Sequence, residues 1–284
     1  MLKKSTIQLL RFPFSYFLMP VYWFALSFTP HIHWGRAVLV FFLLHGLLYP
    51  SSNGYNSYMD RDTGSIGGIA SPSQPTRQLF LVTVLMDILG LVLSFLVSPL
   101  FAGCFFCYIL FSRLYSYRGI RLKRFPIIGY LTVILNQGAL TFFMVYHGAS
   151  QNLTTLVPWQ GLVIACFLIG GFYPLTQVYQ HQQDRADGVT TISMLLGKRQ
   201  TFLFCTLMYL MAFSLLFIYY KQQQQLIYFL VLQICFLPVI VYFLRWWMAV
   251  WKNEEKADFD NMMKMNWLAS TCTNLGFIIL LIIH

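Results

Sequence analysis

The sequence predicts an all-α, polytopic membrane protein with about nine transmembrane helices. Of its 284 residues, 58% are hydrophobic and only 10% are charged, whereas an ordinary soluble domain carries about 25% charged residues. A helix that crosses a bilayer needs about 20 predominantly apolar residues, and stretches of that kind occupy nearly the whole chain. We therefore expect residues 1–284 to form a single transmembrane domain embedded in the lipid bilayer.

The predicted spans follow one another with short connections. Their approximate positions are 12–29, 36–56, 78–98, 100–117, 126–146, 156–180, 201–220, 226–248 and 266–283. The segment before the first span has two lysines but lacks a small-residue cleavage site, and the apolar run that follows is long enough to cross a bilayer. We therefore interpret that run as the first transmembrane helix and not as a removable signal peptide.

Positive charges are sorted to one side of these spans. All but two of the 19 Lys and Arg residues lie in the amino-terminal segment or in the even-numbered loops, and the exceptions are Arg36 and Lys221. Cytoplasmic loops carry an excess of Lys and Arg. We therefore expect a cytoplasmic amino terminus and a multi-pass protein of the cell (inner) membrane. This bias also accounts for the net charge of +10, so nucleic acid is not expected as a partner.

Asp87 is the acidic residue that lies within a predicted span, whereas the other Asp and Glu residues lie in even-numbered loops. An ionisable group inside a membrane span is costly and is by default a candidate for function. The sequence shows no obvious partner for this carboxylate. A place in a substrate cavity and a hydrogen bond to another helix therefore both remain open.

An internal repeat occurs at the ends of the second and sixth spans. Residues 49–64 read YPSSNGYNSYMDRDTG, and residues 173–188 read YPLTQVYQHQQDRADG, at a shift of 124 positions. The aligned pairs are Tyr49 with Tyr173, Pro50 with Pro174, Asn53 with Gln177, Tyr55 with Tyr179, Asn56 with Gln180, Asp60 with Asp184, Arg61 with Arg185, and Gly64 with Gly188. Both copies are predicted to lie on the cytoplasmic side.

The repeat predicts a paired cation site. Helix positions at offsets 0, 3 and 7 share a face, so each copy presents two carboxamides and one carboxylate. These oxygen donors suit Mg²⁺, which binds one or two carboxylates together with waters and substrate phosphates. The predicted metal ligands are Asn56, Asp60, Asp62, Gln180, Asp184 and Asp187. Two polar helix ends without a site are the alternative, but matched spacing in two places favours metal ions that bridge a diphosphate.

A basic loop between the fourth and fifth spans lies on the same predicted side as the repeat. Residues 112–129 read SRLYSYRGIRLKRFPIIG. Basic loops commonly only anchor a protein, but contacts between these cations and phosphate are charge-assisted and strong. The candidates for binding a diphosphate are Arg121, Lys123, Arg124, Arg61 and Arg185.

Other polar and aromatic residues are candidates for the lining of a cavity. They are Asn53, Gln177, Tyr55, Tyr179 and Asn136. The two tyrosines lie near the carboxylates of their repeat copies, and an aromatic face stabilises a cation by about 0.5–2 kcal/mol. Asn136 either contacts an acceptor or forms a hydrogen bond between helices. His181, inside the second copy, is either a base or a helix-end residue that faces the surface.

These motifs resemble those of the UbiA-type intramembrane prenyltransferases. The spacing of Asn56 and Asp60 is similar to that of the family's first metal-binding motif, and the run from Asp184 to Gly197 resembles the second. The stretch from Tyr115 to Gly129 resembles the family's cytoplasmic loop. The resemblance covers essentially the whole chain. It implies a bundle around a central cavity, Mg²⁺, and transfer of a prenyl group from a prenyl diphosphate to a small hydrophobic acceptor, often an aromatic ring such as a quinone precursor, with Asp60 and Asp184 as catalytic residues.

The chain also departs from the family's pattern. Ser57 and Gly64 stand where the first motif has acids, and Gln180 replaces the leading acid of the second. These changes leave less negative charge at the metals, so a non-enzymatic lipid carrier or assembly factor on the same fold remains an alternative. Asp184 and Asp187 also match the opening of the CDP-alcohol phosphatidyltransferase motif, but the later acids of that motif are missing.

Overall fold

Nine helices long and apolar enough to cross a membrane occur in residues 1–283, the part of the chain that this computed structural model describes. In order they are α1 Lys4–Ser27, α2 Trp34–Asp60, α3 Arg77–Ser94, α4 Pro99–Ser116, α5 Pro126–Ala149, α6 Trp159–Gln177, α7 Lys198–Gln222, α8 Leu226–Lys252 and α9 Phe259–Ile283. No strand is present in this part of the chain. The predicted all-α fold with nine spans is confirmed.

Several spans contain tighter or wider turns than an α-helix. A 3₁₀ segment, Phe12–Leu18, follows Arg11, whose φ of 50° breaks α1 near its start. Turns with π-helical hydrogen bonding occupy Phe42–Leu48 in α2 and Ile134–Leu140 in α5. Such turns are common at functional sites, because they rotate side chains away from the regular helical faces.

An aromatic cluster fills the end of the bundle opposite the repeat. The ring of Phe24 in α1 lies 5.1 Å from that of Phe142 in α5 and 4.8 Å from that of Phe277 in α9. All three side chains are fully buried. This dense apolar packing closes the far end of the bundle, so the space between the helices opens toward the end that carries the repeat.

Asp87 has a partner on the neighbouring helix. Arg113 in α4 donates from Nε to Asp87 Oδ2 at 2.8 Å, and Ser51 in α2 donates to Asp87 Oδ1 at 2.5 Å. The guanidinium carbon of Arg113 also lies 4.0 Å from the centre of the Tyr55 ring. Of the two interpretations of Asp87, the hydrogen bond between helices is therefore correct. Tyr55 does not line the cavity itself, because its ring packs beneath Arg113.

Candidate functional site

Both copies of the repeat line one cavity of about 240 Å³. The cavity lies where α2 and α6 end and where the loop between α4 and α5 folds over them. The lining residues include Asn53, Asn56, Asp60, Asp62, Lys123, Asn136, Gln177, Tyr179, Gln180, Asp184 and Asp187. The structure therefore brings together all six predicted metal ligands, although they come from segments far apart in sequence.

The first copy is a regular helix, Tyr49–Asp60, as its spacing predicts. Asn56 donates from its side-chain amide to Ser116 Oγ at 2.9 Å, so its carbonyl oxygen remains for a ligand. The helix ends at Arg61, whose φ of 55° turns the chain sharply. This left-handed turn brings Asp62, just beyond the helix, to the same cavity as Asp60.

The second copy is not the continuous helix that the spacing predicts. A 3₁₀ turn, Tyr173–Gln177, is followed by the short helix His181–Ala186. Proline has no N–H, so Pro174 cannot donate to the carbonyl oxygen of Gly170. The Tyr130 hydroxyl donates to that oxygen instead, at 3.1 Å. The bend keeps the second polar stripe on the cavity, although its members do not share one helical face.

Hydrogen bonds join the two copies directly. The Gln183 side-chain amide donates to Asp62 Oδ1, and the Gln180 amide donates to the Ser65 carbonyl oxygen at 3.2 Å. Gln183 was not among the candidates, because its role depends on a loop more than 100 positions earlier. These contacts hold the segments that follow α2 and α6 against each other.

The basic loop crosses both copies. Arg121, at a φ of 53°, pairs with the Asp187 carboxylate and lies 3.4 Å from Asp60 Oδ1, while Lys123 pairs with the other oxygen of Asp60. Arg118, which was not a candidate, donates to the Met59 carbonyl oxygen at 2.7 Å and lies 3.3 Å from Asp187. The loop thus places cations beside carboxylates of both copies.

Among the predicted phosphate-binding cations, Lys123 lines the cavity and Arg121 is held in ion pairs beside it, whereas the other three lie outside. Arg61, Arg124 and Arg185 are exposed, and the guanidinium of Arg124 stacks on the Phe125 ring at 4.6 Å. Their positions correct the sequence prediction, because helix-end geometry turns these side chains toward solvent. His181 is also outside the cavity, where its Nε2 forms a 2.8 Å hydrogen bond with Ser193 Oγ. It is therefore not placed to act as a base.

Arg11 is a cavity residue that the candidate set did not contain. It follows the first turns of α1, and its guanidinium donates to the Asn53 side-chain oxygen at 3.3 Å and to the Gly67 carbonyl oxygen at 3.4 Å. Its Nε is buried without a hydrogen-bond partner among the described residues. The available signal was its place beside Pro13 at the opening of the first span.

Asp184 is electrostatically different from the paired carboxylates. Burial raises its pKa to about 7, the negative charges of Asp60, Asp62 and Asp187 act in the same direction, and Lys123 opposes them. Within residues 1–283 its carboxylate has no hydrogen-bond or ion-pair partner. A half-buried carboxylate beside three others is stabilised by a cation that binds among them.

The oxygen donors of the cavity fit Mg²⁺ whose coordination shell is completed by a bound ligand. Among the described residues, no three Asp, Glu, His or Cys side chains lie close enough to hold one ion. Mg²⁺ is commonly bound by only one or two carboxylates, with waters and substrate phosphates in the other positions. Asp184 with Gln180, and Asp60 or Asp62 with Asn56, offer two such partial ligand sets in the lining of the cavity.

A second, apolar cavity of about 460 Å³ adjoins the first. Residues of α1, α6, α7, α8 and α9 line it, and Phe17, Ile169 and Phe172 line both cavities. The polar cavity therefore continues into a space suited to a hydrocarbon chain. Where the polar cavity meets α4 and α6, the Tyr115 and Tyr173 hydroxyls form a 2.5 Å hydrogen bond with each other.

The UbiA prenyltransferase family profile matches residues 17–268. The chain belongs to this family. No curated protein sequence matches it. A UbiA homolog from Archaeoglobus fulgidus bound to DMAPP and Mg²⁺ is similar in structure, with a TM-score of 0.71, 17% identity, and coverage of 99% of this chain and 100% of that chain. Membership of the family and the nine apolar helices within residues 1–283 make the protein a multi-pass integral membrane protein.

Two further solved structures share the fold. A UbiA homolog from Aeropyrum pernix K1 has a TM-score of 0.69 and 16% identity, covering 95% of this chain and 98% of that chain. A structure from a study of digeranylgeranylglyceryl phosphate synthase has a TM-score of 0.64 and 18% identity, covering 99% of both chains. The similarity extends over nearly the whole chain and shows that the architecture is shared.

Proposed function

We propose that this UbiA-family protein transfers a prenyl group from a prenyl diphosphate to a small hydrophobic acceptor of the aromatic or quinone-precursor class, and that it requires Mg²⁺. One observation carries the proposal: both polar repeat copies and the basic loop meet at a cavity that continues into an apolar one. The Archaeoglobus homolog was solved with DMAPP and with GPP, each together with Mg²⁺, which supports the same donor class here. We place the protein in the cell membrane with its amino terminus inside.

The donor diphosphate would lie between the two copies. When bound, Mg²⁺ supplies positive charge that stabilises the phosphate oxygens as the bond to carbon breaks. Asp60, Asp62 and Asp184 would hold the ions, with the amide oxygens of Asn56 and Gln180 beside them. Lys123 would exchange part of its contact with Asp60 for the diphosphate, because a phosphate oxygen carries a comparable negative charge.

The apolar cavity would hold the prenyl chain. Its walls exclude water, which would otherwise react with the allylic cation after the bond from carbon to oxygen breaks. Phe17 and Phe172 line the junction between the cavities, where the first carbon of the donor would lie. Each ring face stabilises a nearby cation by about 0.5–2 kcal/mol. The nucleophilic atom of the acceptor then bonds to this carbon, and the proton that it loses would pass to the released pyrophosphate.

Pyrophosphate release tests this function. Purified protein in detergent is incubated with dimethylallyl, geranyl or farnesyl diphosphate and a set of hydroxyarene acceptors, with either MgCl₂ or EDTA. We expect release that requires Mg²⁺ and that falls about a hundredfold or more in Asp184→Asn, since the lost carboxylate would hold the Mg²⁺ whose positive charge stabilises the departing oxygens. Asp260→Asn, an exposed carboxylate in α9, is the matched control. Absence of release from any donor by the wild type would instead favour the lipid carrier.

A further inference from the structure

Hydrogen bonds between uncharged side chains line the cavity wall from the carboxylates toward the interior of the bundle. Asn56 in α2 bonds to Ser116 in α4, and one helical turn deeper Ser52 and Ser112 form a 2.6 Å hydrogen bond. All four side chains line the polar cavity. The cavity wall between α2 and α4 therefore changes with depth from charged groups to neutral hydroxyl and amide groups.

The π-helical turn Ile134–Leu140 forms the deeper wall. It directs two consecutive side chains, Asn136 and Gln137, to the cavity. Gln137 lies beside the Tyr108 hydroxyl on α4. Gly138 anchors the turn, because a Cβ at this position would lie 2.9 Å from the Cys166 backbone of α6. The turn is thus held between α4 and α6 with both amides facing the cavity.

Asn136 is left without a protein partner. The residue is only 8% exposed, and within residues 1–283 its side-chain amide makes no hydrogen bond. The residue borders the cavity, and its amide atoms are not sealed within the protein, so a ligand can reach them. A polar group well inside a membrane span is stabilised by a hydrogen-bond partner. The interpretation of Asn136 as a hydrogen bond between helices is therefore not supported. Its amide is instead available to a ligand in the cavity.

We propose that Asn136 binds the acceptor and that the acceptor group it contacts is an uncharged hydroxyl or carbonyl. This inference rests on the proposed function, because it assigns a role within the same cavity. The cations of the cavity, Arg11 and Lys123, are bonded to Asn53, Gly67 and Asp60 near the repeat. A carboxylate beside Asn136 would lose its hydration without gaining a cation, whereas a hydroxyl or carbonyl would form a neutral hydrogen bond.

Binding of two related acceptors tests the inference. Hydroquinone and its carboxylated analogue, 2,5-dihydroxybenzoate, are titrated calorimetrically into the full-length protein in lipid nanodiscs. We expect the wild type to bind hydroquinone more tightly, and Asn136→Leu to raise its dissociation constant about tenfold, as the loss of one buried hydrogen bond predicts. Asn274→Leu is the matched control, since Asn274 is a buried amide of α9 outside both cavities.

The outcomes separate this inference from the proposed function. Wild-type affinity for hydroquinone in Asn136→Leu, or an equal loss in Asn274→Leu, would overturn the role of Asn136. If the wild type binds 2,5-dihydroxybenzoate more tightly than hydroquinone, or does not bind hydroquinone, the acceptor is not of the uncharged class. Both measurements use the wild type alone, so they do not depend on the folding of a variant. Selective hydroquinone binding without pyrophosphate release would contradict prenyl transfer while supporting the acceptor site.

Discussion

Gln183 donates its side-chain amide to the Asp62 carboxylate, which lies 121 positions earlier in the chain. The contact joins the segment after α6 to the segment after α2, and the bond from Gln180 to Ser65 runs beside it. Side chains that hold these two segments together also hold Asp60 and Asp184 on one cavity. The site is therefore a property of the folded bundle, because neither copy by itself supplies enough carboxylates.

Asp184 is expected to limit the stability of the metal-free protein. Its carboxylate is desolvated and lies near Asp60 and Asp62, so Asp184→Asn removes an unfavourable charge. We expect this variant to unfold a few degrees higher than the wild type in EDTA, and to lose the stabilisation that MgCl₂ gives the wild type. Thermal unfolding in detergent with and without Mg²⁺ measures both effects. If Asp184→Asn unfolds at a lower temperature than the wild type in EDTA, the Asp184 carboxylate is not unpaired and unfavourable in the metal-free protein.

Lys123 and Arg124 are neighbours with different expected effects. Lys123 lines the cavity and pairs with Asp60, whereas Arg124 is exposed on Phe125. We expect Lys123→Met to raise the KM for geranyl diphosphate about tenfold or more, because a charge-assisted phosphate contact is lost. Arg124→Met should stay close to the wild type. Steady-state kinetics of both variants measure the KM for geranyl diphosphate. A larger increase in Arg124→Met than in Lys123→Met would contradict the assignment of Lys123 as the cation that contacts the diphosphate.

The ion pair of Asp87 with Arg113 is expected to stabilise the packing of α3 on α4. Removing one partner leaves the other charge buried, which costs about 3–5 kcal/mol in well-buried pairs and less in this partly exposed one. We expect Asp87→Leu and Arg113→Met each to destabilise the protein, and the combination of the same two substitutions to recover much of the loss. Unfolding in SDS measures the loss of stability in each variant. If the losses in the two single variants simply add in the double variant, the two side chains are not coupled.

His181 is expected to make stability depend on pH. Burial lowers its pKa to about 4, and the charges of Lys198 and Arg185 act in the same direction. The unfolded state, with an ordinary value near 6.5, therefore takes up the proton first as the pH falls. The contribution of His181 to stability should be constant above about pH 6.5 and should decline between about pH 6.5 and 4, while the raised pKa of Asp184 acts in the opposite direction as the pH falls.

Replacement variants isolate the contribution of this histidine. Between pH 6.5 and 4, the unfolding temperature should fall less, relative to its value at pH 8, for His181→Gln than for the wild type. His31→Gln, at an exposed position on the opposite end of the bundle, is the control. Profiles for His181→Gln and the wild type that decline in parallel would show that other groups cause the pH dependence.

The sequence predicts the fold well, because transmembrane helices depend mainly on local composition. Nine apolar stretches of sufficient length correspond to α1 to α9. The irregular turns were not predicted. The π-helical turn around Asn136 depends on contacts with α4 and α6, and the bend at Pro174 depends on the hydroxyl of Tyr130, which lies on another helix.

The sequence predicts only part of the candidate site, because some of its contacts depend on backbone turns and on the packing of helices. Repeat spacing identified Asp60 and Asp184, since the same residue types recur at equal intervals. Which cation of the basic loop faces the cavity depends on backbone turns such as the left-handed Arg121, and sequence does not report these. Ion pairs between helices, such as that of Asp87 with Arg113, are equally invisible without the packing.

Metal binding tests most directly whether the two repeat copies form one site. Mn²⁺ replaces Mg²⁺, and electron paramagnetic resonance counts bound ions in the presence of a non-hydrolysable thio analogue of geranyl diphosphate. We expect two ions in the wild type and in Asp260→Asn, and the loss of at least one in Asp60→Asn and in Asp184→Asn, because the carboxylates are essential ligands. Two ions of unchanged affinity in either Asp60→Asn or Asp184→Asn would contradict a shared site.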